Sequence, residues 1–246
     1  QRRNRMNQWV ENLYINYRNI DTDFKMTDFF VHSHDYFEIY QFHRGDCNYV
    51  INDETFHLKE NDVVLMNGST LHGPLPKEGT PYERTVIEFR QDWVQPILKN
   101  MNVPDLLSPF KKQSNLLLRN INQDIIEELD DVMAKLNLRK FNRLNKVHSK
   151  AEKRIIEGEE TLLFLQLLFI IYKLSKNHSE QRILTTKCNN DHVSKIISWI
   201  DGNYSQHFSL DDIAENLHLS KYYLSRIFKE ATGLTVMEAL TGIPAK

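Results

Sequence analysis

Hydrophobic positions along this chain repeat with two different periods. Between residues 26 and 92 they come in short stretches, YFEIYQF, CNYVIN, ETFHL, DVVLMN and RTVIEF, rich in β-branched and aromatic residues. Turn-forming clusters separate them: Arg44-Gly45-Asp46, Asn52-Asp53, Glu60-Asn61-Asp62, Asn67-Gly68 and Gly73-Pro74. Branched and ring side chains suit a pleated, half-buried surface, while Gly, Asn and Asp supply turn conformations, so the region predicts strands. Strands this short at such regular spacing predict a sandwich or small barrel.

From residue 93 the period lengthens. Ile125, Ile126, Leu129, Val132, Met133 and Leu136 fall on one helical stripe. Lys135, Arg139, Lys140, Arg143, Lys146, Lys150, Lys153 and Arg154 follow and read as a solvated basic helix face. The run LLFLQLLFIIYKL at 162–174 is apolar nearly all round. Its helix is therefore expected to be buried on more than one side, either between the barrel and a second subunit or wholly within the core. Residues 179–190, SEQRILTTKCNN, are polar and aperiodic and read as a linker; beyond them the pattern is helical again. The predicted class is α+β: a first unit over 1–92 whose strands run from 26 to 92, helices over 93–178, the linker, and a separate helical unit over 191–246.

Composition narrows the function classes. With 41% hydrophobic and 26% charged residues the chain is globular, and a formal charge of −2 gives no global basic field. Nucleic-acid binding would have to come from a local patch. The two cysteines, Cys47 and Cys188, show neither a pairing motif nor zinc spacing, which suits a reducing compartment. The longest apolar run falls well short of the roughly 20 residues that cross a bilayer. The basic start QRRNRMNQWV is not followed by an apolar core of the signal-peptide kind. A cytoplasmic protein without a membrane partner is expected.

The stretch FSLDDIAENLHLSKYYLSRIFKEATGLT, 208–235, is the most specific signal. Ser209 stands at an N-cap position with Asp212 three residues on, a capping-box pair. The helix it opens carries Leu210, Ile213, Ala214 and Leu217 on one face. A short turn, HLS, leads to Ser220 as a second N-cap. The second helix buries Tyr223, Leu224, Ile227 and Phe228 and ends at Gly233. Two short helices joined by so brief a turn describe a helix-turn-helix, whose second helix enters the major groove. Its outward residues are Lys221, Tyr222, Ser225, Arg226 and Lys229. Arg226 suits bidentate contact with guanine, Tyr222 a sugar or a thymine methyl, and the two lysines phosphates. The segment 191–246 holds five Lys/Arg against seven Asp/Glu, so its basic charge is concentrated on one helix.

This stretch resembles the first helix-turn-helix of the AraC/XylS family of transcription regulators. Ala214, Ser220 and the Leu-Ser-Arg-x-Phe-Lys-x-x-x-Gly sequence from Leu224 to Gly233 carry the likeness. The resemblance implies binding to double-stranded DNA through Ser220, Lys221, Tyr222, Ser225, Arg226 and Lys229. Family members continue with a long helix and a second motif, whereas here MEALTGIPAK follows, in which Gly242 and Pro244 disfavour a helix. The expectation is an incomplete DNA-binding domain that needs a homodimer to supply a second recognition helix.

HSHDYFEIYQFHRG, 32–45, resembles the first motif of a cupin, the sensor fold common at the N-terminus of these regulators. His32, His34, Glu38 and Gly45 match its spacing, and ENDVVLMNGSTLHG supplies His72, with Asn61 in place of the usual leading glycine. Alternation puts His32, His34, Glu38, Tyr40 and Phe42 on one side of their strand. If that side faces the barrel interior, His32, His34, Glu38, Tyr40 and His72 would line an effector pocket, with polar groups for hydroxyls and rings for a sugar face. The same histidines and carboxylate suit a transition metal, so a metal-dependent cupin enzyme stands as the alternative, and purely structural histidines as a third reading. The expectation adopted is a sensor for a small molecule such as a sugar, with no catalytic residue, resident metal or cofactor. In that scheme 1–92 is the effector barrel, 93–178 the dimerisation region and 191–246 the partial DNA-binding domain.

Overall fold

The computed structural model describes residues 12–22, 34–51, 54–68, 72–111, 115–177 and 208–232, with positions 192, 195, 196, 199, 200, 203 and 235–237. His32, the 179–190 linker and Gly233 lie outside the described residues. Seven strands come first: β1 (Leu13–Asp21), β2 (Phe37–Arg44), β3 (Cys47–Ile51), β4 (Glu54–His57), β5 (Val63–Met66), β6 (His72–Pro76) and β7 (Tyr82–Phe89). Then follow α1 (Gln91–Asn100), a 3-10 turn at Pro104–Leu107, α2 (Ser108–Lys111), β8 (Leu116–Leu118), α3 (Gln123–Asn145) and α4 (Lys150–Asn177). The helix-turn-helix is α5 (Leu210–Asn216) and α6 (Lys221–Thr232).

The strands form two antiparallel sheets, one ordered β1-β7-β2-β5-β8 and the other β4-β3-β6. Period-two alternation sorts their side chains into three apolar layers. Tyr40 and Phe42 from β2, Cys47, Tyr49 and Ile51 from β3, Val64 and Met66 from β5, and Tyr82 from β7 meet between the sheets. Phe37, Ile39, Val63, Leu65, Ile87 and Phe89 point the other way, into a larger cluster with α1 to α4. Covered on both faces, β2 is buried at every position but Arg44. Burial of side chains such as Phe89 and Phe164, whose ring centroids lie 4.8 Å apart, stabilises this layer by roughly 1.5–3 kcal/mol each. The third layer lies outside the small sheet. Val50 of β3 and Leu75 of β6 pack with Ile196, Ile200, Ile213, Ala214, Leu224, Ile227, Phe228 and Val236, the apolar core of the helix-turn-helix.

Three expectations change. Two strands lie outside the region read as strands. β1 precedes residue 26 and pairs with β7, and β8 falls in the stretch read as helical and pairs with β5. LYINYRNID alternates but is interrupted by a bulge between Asn16 and Asn19, and three consecutive leucines carry no period at all. Second, α4 is not wholly buried: Phe164, Leu167, Leu168, Ile170, Ile171 and Leu174 face the core, while Leu162 and Phe169 are exposed. Third, Lys140 is no solvated base. It is 5% exposed and its ammonium donates to the Leu13 carbonyl, tying α3 to the start of β1. Arg139 and Arg143 pair with Glu159 and Glu160 across the α3–α4 hairpin, each at 2.8 Å. No helix among the described residues is long and apolar enough to cross a membrane.

Candidate functional site

The inner face of β2 presents Glu38 to the space between the sheets. His72, the first residue of β6, arrives opposite Ile51 of β3, and His34 reaches in from just before β2. The Nε2 atoms of His34 and His72 lie 3.2 and 3.3 Å from the same carboxylate oxygen, Glu38 Oε2. The two rings meet edge to face with centroids 5.0 Å apart, and all three side chains are buried. Burial alone would raise the Glu38 carboxyl, but the adjacent His72 and the hydrogen bonds from both imidazoles hold it well below the usual carboxylate range. Phenols surround this polar knot. Tyr40 and Tyr82 hydrogen-bond through their hydroxyls, and the Tyr40 and Tyr49 rings lie 4.7 Å apart. Burial first, then the Glu38 charge, pushes the Tyr49 phenol well above its ordinary range, so it stays a neutral donor.

His34 owes its position to a glycine. The His34 N–H donates to the Gly68 carbonyl at 2.8 Å, and Gly68 has φ of +74°. A Cβ there would lie 1.9 Å from the Tyr36 carbonyl oxygen and 2.5 Å from His34 Nδ1. Only a residue without a side chain lets the β5–β6 connection pass this close.

The ligand atoms of His34, Glu38 and His72 all lie within 4.8 Å of one another, a donor set that a transition metal accepts. The hydrogen bonding of His34 fixes its tautomer in the hydrogen-bonded cluster. Its Nδ1 accepts from the Tyr36 N–H at 3.3 Å, so that nitrogen carries a lone pair and the ring proton sits on Nε2, aimed at Glu38. A ligating Nε2 needs the reverse tautomer, with Nδ1 donating to its neighbour. As arranged, the three side chains form a buried, hydrogen-bonded acid–imidazole group.

Of the residues expected in the pocket, His34, Glu38, Tyr40 and His72 are brought together, and His32 lies outside the described residues. His34 does so from outside the strand, since β2 begins at Phe37. Tyr49 and Tyr82 belong to the same buried layer but do not figure among the residues expected from the sequence. The buried, exposed, buried order of Cys47, Asn48 and Tyr49 is the alternation that gives Tyr49 away.

At the other end of the chain, Ser209 and Asp212 close a reciprocal capping box. After α5, His218 has φ of +54°, and there the Leu219 N–H donates to the Ala214 carbonyl and the His218 N–H to the Glu215 carbonyl. This left-handed C-terminal cap makes the tight turn that sets α6 against α5. The Ser220 hydroxyl accepts from the Tyr223 N–H at 3.2 Å, so it caps α6. Leu224, Ile227 and Phe228 are buried, whereas Lys221, Tyr222, Arg226 and Lys229 are exposed, Tyr222 by 80%, and Ser225 lies between. Lys221 pairs with Asp211 at 2.7 Å, and the Arg226 guanidinium lies 5.7 Å from the Tyr223 ring centroid. One amphipathic helix thus carries an apolar face into its own domain and a basic, aromatic face outward.

A family model described as the AraC-like ligand binding domain matches residues 18–147, and one for bacterial regulatory helix-turn-helix proteins of the AraC family matches residues 200–241. The chain belongs to the AraC family. Relatives at low identity agree. The uncharacterized HTH-type transcriptional regulator YbfI of Bacillus subtilis is 23% identical, over 83% of this chain and 66% of its own length. The melibiose operon regulatory protein of Escherichia coli K12 is 22% identical, over 94% of this chain and 74% of its own. Among solved structures, ToxT from Vibrio cholerae aligns over 94% of this chain and 80% of its own, at 14% identity and a TM-score of 0.41. The chain thus spans about two thirds of the length of the YbfI regulator.

Proposed function

We propose that this AraC-family chain is a ligand-responsive transcription regulator. In this reading a sugar or related polyhydroxylated metabolite binds between the sheets at His34, Glu38, Tyr40 and His72, with Tyr49 and Tyr82. The exposed side of α6, with Lys221, Tyr222, Ser225, Arg226 and Lys229, contacts double-stranded DNA, while Ser220 caps it. The active species is a cytoplasmic homodimer, and no catalytic role is assigned. Supporting a sugar, carboxylate and imidazoles offer acceptors and donors to hydroxyls while phenyl rings suit the C–H face of a pyranose. The name of the melibiose operon relative points the same way.

The single observation that carries the reading is the double duty of the small sheet. Tyr49 and His72 line its inner face beside Glu38, and Val50 and Leu75, their immediate or near neighbours on β3 and β6, pack into the core of the helix-turn-helix. A ligand that shifts the inner face acts on strands that already touch the DNA-binding unit. Such coupling is a population shift and needs unequal affinity for two arrangements.

The test is calorimetric titration of a panel of mono- and disaccharides into wild-type protein and Glu38→Gln. One saturable sugar is expected, with affinity at least tenfold weaker in the variant. No sugar binding, together with stoichiometric uptake of a divalent transition metal and turnover of a small substrate, would replace this reading with that of a metal-dependent cupin enzyme.

A further inference from the structure

Where the helix-covered face of the larger sheet meets α3, one corner of the apolar layer is polar. Gln41 and His43 of β2 share that face with Ile39, and Gln41 stands opposite Thr85 of β7. The bulge in β1 gives Arg18 a φ of +45°, and from there its N–H donates to Thr85 Oγ1 at 3.0 Å. The Arg18 guanidinium bridges Glu83, at 2.8 Å, and Asp130 of α3. The corner thus gathers side chains from three strands and a helix, and the charges of Asp130 and Glu83 are felt at His43.

Gln41 is 0% and His43 4% exposed, so neither turns to bulk water for its hydrogen bonds. Four buried polar atoms here have no partner among the described residues: Gln41 Oε1 and Nε2, His43 Nδ1 and Asp130 Oδ1. Among those residues no other buried side-chain oxygen or nitrogen is left so. An unmet buried donor or acceptor costs more than a met one gains. Four of them in one corner mark a place where something binds.

The roles of these atoms define the guest. Thr85 Oγ1 accepts from Arg18 and still has its own hydrogen to place; its partner at 2.7 Å is His43 Nε2. That nitrogen then accepts, and the ring proton sits on Nδ1, which is a donor. Gln41 adds a donor and an acceptor, and Asp130 an acceptor. The charges are already balanced, Arg18 and Arg44 against Glu83 and Asp130. An ion brought in here would be buried without a counter-charge, and an apolar molecule would leave all four atoms unmet. Gln41 and His43 are two positions apart, about 7 Å along the strand, a span that one small molecule covers.

We propose that Gln41, His43 and Asp130 form a second, internal site for a small neutral guest carrying both hydrogen-bond donors and acceptors. A carboxamide and ordered water share that chemistry. The site has β2 in common with the inter-sheet pocket but none of its side chains, since Glu38 and Tyr40 face the other way. It does not depend on the proposed function.

Gln41→Met keeps the length of the side chain and removes its amide. With a guest in place the variant loses bonds, and the midpoint of thermal unfolding of the full chain falls. Over an unfilled corner it sheds two unmet atoms, and the midpoint rises. The second readout is the Gln41 side-chain amide in nitrogen-15 NMR, assigned by its loss in Gln41→Met, with acetamide as the probe. A saturable shift of that resonance, weakened at least tenfold by His43→Phe, identifies a carboxamide guest. Cross-peaks to water without a saturable shift identify water. The expected result is a lowered midpoint together with one or the other. A raised midpoint, or an amide that meets neither acetamide nor water, would overturn the site.

Discussion

His43 stands on the opposite face of β2 from Glu38, and the two show how neighbours decide what burial does. Its Nε2 hydrogen-bonds the Thr85 hydroxyl at 2.7 Å, and its buried Nδ1 has no partner among the described residues. Burial, helped by the nearby Arg18 charge and opposed by Asp130 and Glu83, pulls its pKa down to about 4. Between that value and the ordinary 6.5 the unfolded chain binds a proton that the folded chain does not. The contribution is therefore complete above pH 6.5 and is lost as pH falls toward 4. Urea midpoints should drop across this window in the wild type and drop less in His43→Gln; parallel curves would show that His43 does not titrate as described. At this scale the sequence speaks unevenly. Glu38 and Tyr40 follow from alternation along one strand. Gly68 and Lys140 do not, because each is explained by an atom remote in sequence, the Tyr36 carbonyl oxygen and the Leu13 carbonyl.

Elements with their own local chemistry are the ones the sequence announces. The reciprocal bonds of Ser209 and Asp212 are written into four consecutive residues, and α5 starts where they require. Removing the hydroxyl leaves the Asp212 N–H uncapped. Ser209→Ala should therefore destabilise the helix-turn-helix by about 1 kcal/mol, measured as faster amide exchange in α5 and α6 with unchanged exchange in β2 and β5. Equal loss of protection in the barrel would mean that the two units open together. By contrast, β8 is a strand only because β5 offers an edge to pair with, and Leu116 to Leu118 would serve a helix as well. The helical stripe of α3 is legible from Ile126 to Leu136 because one face alone meets the sheet. In α4 the period is blurred because both the core face and the Ile155–Leu162–Phe169 face are apolar.

At the scale of the molecule, three apolar layers stack from the α3–α4 hairpin through two sheets to the helix-turn-helix. The α+β class and the order of barrel, helices and helix-turn-helix are visible in the change of period along the chain. The contact of Val50 and Leu75 with the DNA-binding unit is not, since it pairs positions some 150 residues apart by shape alone. In the proposed function that contact couples the sensor to the helix-turn-helix, and the claim that most needs testing is that the exposed side of α6 reads DNA. The measurement is selection from a randomised duplex pool, followed by anisotropy titration of the enriched duplex at several salt concentrations, with wild type, Arg226→Ala and Lys229→Ala. The account predicts one enriched sequence. Arg226→Ala should lose about 1–3 kcal/mol on it and little on random duplex, while Lys229→Ala should weaken binding to both and flatten the salt dependence. No enrichment, or equal binding of the enriched duplex by Arg226→Ala and wild type, would contradict it.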